Sequence, residues 1–262
     1  MKKIIAFVWL FFVSVLLFAQ DNSPYQKKYF IKNNDTLRYR IMYPVNYDTH
    51  KKYPLLLFLH GAGERGNDNE LQLVHGSKLF ADPVNREKFP AIVLFPQCSS
   101  DDFWANIKRG KSRVDSSKLV FEFPVDIPMG KSLSLVSELL DSFVTTRNVN
   151  TKRIYVGGLS MGSMGTFEIL WRKPGFFAAA IPICGGGNET KVKEYGKKFP
   201  IWVFHGDADP VVDVNNSRKM VAALKAENAK VKYTEYPGVG HDSWTNAFAE
   251  PTLLQWLFAQ KK

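Results

Sequence analysis

The sequence predicts an α/β fold: a mostly parallel central sheet with an N-terminal antiparallel hairpin and helices on both faces. Three observations carry this. Short, nearly continuous apolar runs recur at residues 53–59, 91–95, 154–156, 178–183 and 200–204, as expected of strands covered on both faces. Between them, residues 133–146, 161–172 and 216–226 carry apolar positions at helical spacing, and strands alternating with helices build a parallel sheet wrapped on both sides. The start of the chain differs. Residues 25–32 and 37–43 alternate apolar and polar positions around the turn Asn33-Asn34-Asp35, the pattern of an antiparallel hairpin at a sheet edge.

Before the hairpin, Met1-Lys2-Lys3 leads into an uncharged, largely apolar run at 4–19, followed by polar Gln20-Asp21-Asn22-Ser23. Two lysines, an apolar stretch and Ala19 at its end predict a secretory signal peptide over 1–19. The run is shorter than the ~20 residues that span a bilayer, so cleavage is expected rather than anchoring. The mature chain is then periplasmic or secreted, with no stable membrane association. Residues 20–262 have the size of one α/β domain, with no internal repeat and no long low-complexity linker. The formal charge of +10 is scattered, without a nucleic-acid motif or a basic helix face, so no nucleic-acid partner is expected. Beyond the helical segment at 216–226 the chain continues to a strand at 231–236, a loop at 238–241 and a closing helix at 245–258.

Gly158-Leu159-Ser160-Met161-Gly162 lies between a predicted strand and a predicted helix. A nucleophile on such a sharp turn needs neighbours without a Cβ, because adjoining backbone passes too close for one. Ser160 would stand at a helix N-terminus, where free N–H groups and the helix dipole favour developing negative charge. Other polar clusters also end predicted strands: His60-Gly61-Ala62-Gly63-Glu64-Arg65-Gly66, Pro96-Gln97-Cys98 and His205-Gly206-Asp207-Ala208-Asp209. Ligands in such sheets bind at the carboxyl ends of the strands.

A serine hydroxyl becomes an effective nucleophile when a base takes its proton, and imidazole does this near neutral pH. Of the five histidines, His241 lies in the glycine-rich loop after the last strand and is the candidate base. His60 and His205 each end a buried strand before a glycine and are expected to brace loops; His50 and His75 lie in polar surroundings and are expected at the surface. The acid that would orient His241 has three candidates, Asp207, Asp209 and Asp213.

Taken together, these motifs resemble those of the α/β-hydrolases. Within that fold they look like secreted esterases related to polyhydroxybutyrate depolymerases and to feruloyl or acetylxylan esterases. The resemblance covers residues 25–260 and is weakest at 105–129. It implies a triad in the order Ser160, Asp209, His241, with Asp209 at the acid position of His-Gly-x-x-Asp-Pro. The implied oxyanion donors are the N–H of Met161 and that of Ala62, with Gly63 as the second choice. No cofactor and no metal are expected, and the partner is a small-molecule or polysaccharide-linked ester. Trp104 and Trp244, near Gln97 and His241 in sequence, are candidates with Gln97 to contact substrate, core packing being the equal alternative for the two tryptophans. Glu64 and Arg65 either pair and steady their loop or are solvated, and residues 99–130 are expected to lean over the site rather than form a peripheral insertion.

In this fold the strands before Cys98 and Cys184 are separated by two others, about 14 Å, whereas a disulfide needs Cα atoms within about 7 Å. Two free thiols are expected. The function expected is that of a secreted serine carboxylester hydrolase working through an acyl-enzyme. A serine peptidase of the same fold is the enzymatic alternative, but those relatives generally carry an added domain or cap. A catalytically silent binding protein is the other; it would be expected to lack Ser, Asp or His, and none is missing.

Overall fold

Alternation along each strand decides which face of the sheet a side chain serves. In the computed structural model, which describes residues 23–111, 119–145 and 148–262, β3 (Tyr53–Leu59) is buried along its whole length. Leu55, Leu57 and Leu59 join one core cluster, and Leu56 and Phe58 join the cluster on the opposite face. This two-sided burial is why the segment reads as a continuous apolar run. The expected signal segment lies outside the described residues.

The remaining strands are β1 (Gln26–Lys32), β2 (Asp35–Met42), β4 (Ile92–Gln97), β5 (Lys108–Lys111), β6 (Leu119–Glu122), β7 (Val149–Leu159), β8 (Ala179–Ile183), β9 (Pro200–Gly206) and β10 (Lys230–Tyr236). An eight-stranded sheet has the order β1-β2-β4-β3-β7-β8-β9-β10, and β5 and β6 pair separately. From β4 to β10 neighbouring strands are parallel; β1 with β2, and β2 with β4, are antiparallel. The chain is therefore an α/β fold with a mostly parallel sheet and an N-terminal antiparallel hairpin, as its sequence predicts.

Helices α1 (Ser77–Ala81), α2 (Pro83–Lys88), α3 (Lys131–Val144), α4 (Met161–Arg172), α5 (Asn215–Ala226), α6 (Trp244–Phe248) and α7 (Leu253–Ala259) cover the faces. Leu133, Val136 and Leu140 of α3, Phe167 and Leu170 of α4, and Met220 and Leu224 of α5 pack on one side of the sheet. Phe80 of α1, Ala247 of α6 and Leu257 of α7 pack on the other.

Two departures from the sequence have physical causes. The single closing helix expected over 245–258 is split into α6 and α7. Pro251 lies between them, and a residue before proline is pushed away from helical geometry. The short helix α2 shows no apolar period, although its start is marked: the Asp82 side chain accepts from the Asn85 N–H and Pro83 occupies the first turn, an N-cap followed by a preset helical φ.

Candidate active site

Because β3, β4, β7, β8, β9 and β10 run parallel, their carboxyl ends share one edge. The elbow after β7 carries Ser160. Its backbone has φ 51° and ψ −116°, a region that costs a non-glycine residue about 1–3 kcal/mol. The Ser160 N–H donates to Ile183 O at 2.9 Å and Ser160 O accepts from Met164 N at 3.1 Å, so β8 and α4 hold the turn from both sides. A Cβ on Gly162 would collide with Leu59 O, and one on Gly158 with Gly162 O. These collisions explain the glycines on either side of the serine.

The loop after β10 brings His241 to this elbow: its Nε2 lies 2.9 Å from Ser160 Oγ. Its Nδ1 lies 2.7 Å from Asp209 Oδ2. Of the three candidate acids, Asp209 is the one that meets His241. The Asp207 carboxylate accepts from Gly238 N, and Asp213 from Asn215 N, the turn and cap roles common for aspartate.

Asp209 is held from several directions. Its Oδ1 accepts from Val211 N at 2.8 Å and Val212 N at 2.9 Å, and its side chain is fully shielded. His205 lies beneath it with Nε2 3.2 Å from Asp209 Oδ2 and 2.9 Å from Val212 O. Both partners of that nitrogen are acceptors, so Nε2 carries a proton. Burial by itself raises the Asp209 pKa. The hydrogen bonds from His205, His241 and Val212 N outweigh it and hold the carboxyl well below the usual carboxylate range.

The other expected residues divide. Ala62 opens a 3₁₀ turn, Ala62–Glu64, directly after β3, and a Cβ on the preceding Gly61 would stand 3.8 Å from Ser160 Cβ. Ala62 and Met161 thus flank the serine on two backbone segments. Trp244 is half-buried, with its ring centroid 5.4 Å from His241 and 5.1 Å from His75.

Trp104 and Gln97 depart from expectation. Trp104 is fully buried, its Nε1 donates to His60 O at 3.0 Å, and a Cβ on Gly165 would strike its side chain; it is core packing. Gln97 is also buried. Its Oε1 accepts from Asn69 N at 2.7 Å, while its Nε2 donates to Glu64 O and Asp68 Oδ1, so it ties down the 64–69 loop instead of facing a ligand.

Glu64 and Arg65 do not pair. Arg65 turns toward Ala62 O, Ser100 O and Asp102 O and lies 4.4 Å over the Phe103 ring, whereas the Glu64 carboxylate lies 3.7 Å from His75 Nε2. His75, expected at the surface, is a third exposed and belongs to the rim of the site. Sequence distance hid it, since no strand-end motif contains it.

His60 is buried and braces two strand ends. Its Nε2 accepts from Cys98 N at 3.0 Å, so Nδ1 carries the proton that Gly61 O accepts at 2.6 Å. Burial depresses its pKa to about 4. In the 99–130 segment, Ala105 packs with Met164 and Val212, joined by Ile107, Phe121 and Phe123. These residues therefore rest on the first turn of α4 and on the loop that follows Asp209. Among the described residues no three His, Cys, Asp or Glu side chains converge as a metal site requires.

Known proteins share the fold and part of the sequence. The chain is 33% identical over 116 residues to acyl-protein thioesterase 1 of Neurospora crassa, covering 42% of this chain and 45% of that protein. It is 33% identical over 100 residues to a bifunctional acetylxylan esterase/xylanase of Neocallimastix patriciarum, covering 38% of this chain and 14% of that one. Among solved structures, a thermostable esterase superposes with a TM-score of 0.80 at 36% identity, over 91% of this chain and 64% of that one. The chain thus spans less than half the length of either curated relative. Residues 43–251 match the model of the phospholipase/carboxylesterase family, and the chain belongs to that family of α/β-hydrolases.

Proposed function

We propose that this protein is a secreted serine carboxylester hydrolase that works through an acyl-enzyme. The observation that carries the reading is the unbroken line from Ser160 Oγ to His241 Nε2 at 2.9 Å and from His241 Nδ1 to Asp209 Oδ2 at 2.7 Å. His241 takes the Ser160 proton as Oγ attacks the ester carbonyl and returns it to the leaving alcohol; water then repeats the sequence on the acyl-enzyme. Asp209 stays ionised throughout and fixes the imidazole with Nε2 toward the serine. The N–H groups of Met161 and Ala62 take the charge that develops on the carbonyl oxygen.

Short acyl or aromatic esters, free or linked to polysaccharide, and related polyesters are the proposed substrates. Similarity to an acetylxylan esterase and to a thermostable esterase supports this, as does an ester's better leaving group. The lysines and apolar run at the N-terminus support export to the periplasm or beyond. No helix among the described residues is long and apolar enough to cross a membrane.

The test is hydrolysis of p-nitrophenyl acetate, methyl ferulate and a peptide p-nitroanilide by purified protein, with and without EDTA. Ester cleavage that outpaces peptide cleavage and survives EDTA is expected. Peptide cleavage faster than either ester, or activity abolished by chelation, contradicts the proposal.

A further inference from the structure

One carboxylate at the mouth of the site has no part in the chemistry above. Glu64 closes the turn after β3, and its Oε2 lies 2.9 Å from the point where a Cβ on Gly61 would stand, a point 3.8 Å from Ser160 Cβ. That oxygen is shielded and has no hydrogen-bond partner among the described residues. Its neighbour Arg65 does not neutralise it, being committed to the backbone carbonyls of Ala62, Ser100 and Asp102. The turn itself is fixed, because Gln97 Nε2 donates to Glu64 O at 3.2 Å.

Around this carboxylate the site closes into a ring. Glu64 Oε1 lies 3.7 Å from His75 Nε2, His75 lies 5.1 Å from Trp244 and Trp244 5.4 Å from His241, centroid to centroid. His241 returns to Ser160. His75 and Trp244 also form part of the wall of an adjoining cleft of about 850 Å³, together with Val74 and Phe248. A substrate reaching Ser160 along this side meets an aromatic surface, an imidazole and an acceptor-only carboxylate.

The Glu64 side chain keeps 13% of its surface exposed, and a ligand that covers this surface without supplying a donor strips the carboxylate of its remaining solvent, at a cost that a hydroxyl on the ligand removes. The indole surface meanwhile suits the flat or apolar face of a ring. Resting on the assignment of Ser160 as an ester-cleaving nucleophile, we propose that Glu64, His75 and Trp244 form a specificity subsite for a hydroxyl-bearing ring of the ester. The hydroxyl donates to the Glu64 carboxylate and the ring lies against Trp244, with His75 holding the carboxylate in place. Phenols and sugars share this chemistry.

Two substrate pairs separate them: methyl p-coumarate against methyl cinnamate, which differ by one phenolic hydroxyl, and a monoacetylated methyl xyloside against cyclohexyl acetate. Each is assayed with wild type, Glu64→Gln and Glu64→Ala. In wild type at least one hydroxylated ester is expected to exceed its partner in kcat/KM by tenfold or more. Glu64→Ala should collapse that ratio at least tenfold, largely through KM, and Glu64→Gln, which keeps an acceptor oxygen, by less. The pair that responds identifies phenol or sugar.

Ratios within twofold of wild type in both pairs would overturn the subsite; should Glu64→Ala fail to fold, the Glu64→Gln ratio decides. A Glu64-dependent preference for an α-amino ester over both hydroxylated rings would reassign the carboxylate to a cation and also overturn it. Failure of the ester assignment looks different: wild type would then cleave none of these esters.

Discussion

At Ser160 the backbone carries strain that an ordinary stability comparison should reveal. A residue at φ 51° and ψ −116° pays for its Cβ, and glycine does not. Ser160→Gly is therefore expected to be more stable than Ser160→Ala by about 1 kcal/mol, the reverse of the usual order, although both abolish ester hydrolysis. Urea unfolding of the two variants measures it; an alanine variant as stable as the glycine one would show that the elbow is unstrained.

His60 makes a second prediction. Its folded pKa of about 4 lies below the ~6.5 of an unfolded histidine, so the unfolded chain binds the proton first on acidification. The stabilisation is complete above pH ~6.5 and lost between there and pH 4, amounting to about 3 kcal/mol at most. His60→Gln should flatten the stability profile in this window while lowering stability at neutral pH, as measured by denaturant midpoints. An unchanged slope would contradict it. Asp209, held low, loses its contribution only below the ordinary carboxylate range.

The residue types that do the proposed chemistry were legible in the sequence because each follows a strand end within a glycine-containing segment, whereas the choice of Asp209 among three aspartates came from the resemblance. What was not legible is direction. Trp104 and Gln97 lie near the site in sequence but point into the core and the 64–69 loop. His75, far from any motif, points toward it.

Among the elements, parallel strands announced themselves because burial on both faces leaves a continuous apolar run, whereas the short helices α1 and α2 have too few turns to show a period. The hairpin β5–β6 was hidden for a related reason: its strands are largely exposed and show no alternation. It is anchored through Phe121 and Phe123 on Met164 and Val212, beside the elements that carry Ser160 and Asp209. Phe121→Ala should change the relative rates on p-nitrophenyl acetate and methyl ferulate more than threefold, with a Tm shift of about 4 °C or less. An unchanged ranking accompanied by a larger Tm loss would mark the hairpin as packing alone.

For the molecule as a whole, strand order is what the sequence cannot state by itself; the resemblance supplied it. The order places β3 and β7 between β4 and β8, which keeps Cys98 and Cys184 apart, and both are free and buried. Burial pushes the Cys98 thiol up to about 12 and Cys184 further. Native protein should therefore resist iodoacetamide at pH 8, and denatured, unreduced protein should take two alkyl groups by mass. One or none would reveal a disulfide.

The same strand order gathers Ser160, Asp209 and His241 from the ends of β7, β9 and β10, and the central claim is that this gathering makes Ser160 a nucleophile. It is tested most directly by labelling with a fluorophosphonate and locating the adduct by peptide mass spectrometry. The account predicts a single adduct on Ser160, slowed by several orders of magnitude in His241→Ala and absent from folded Ser160→Ala together with ester hydrolysis. An adduct on another residue, or undiminished hydrolysis by folded Ser160→Ala, would contradict it.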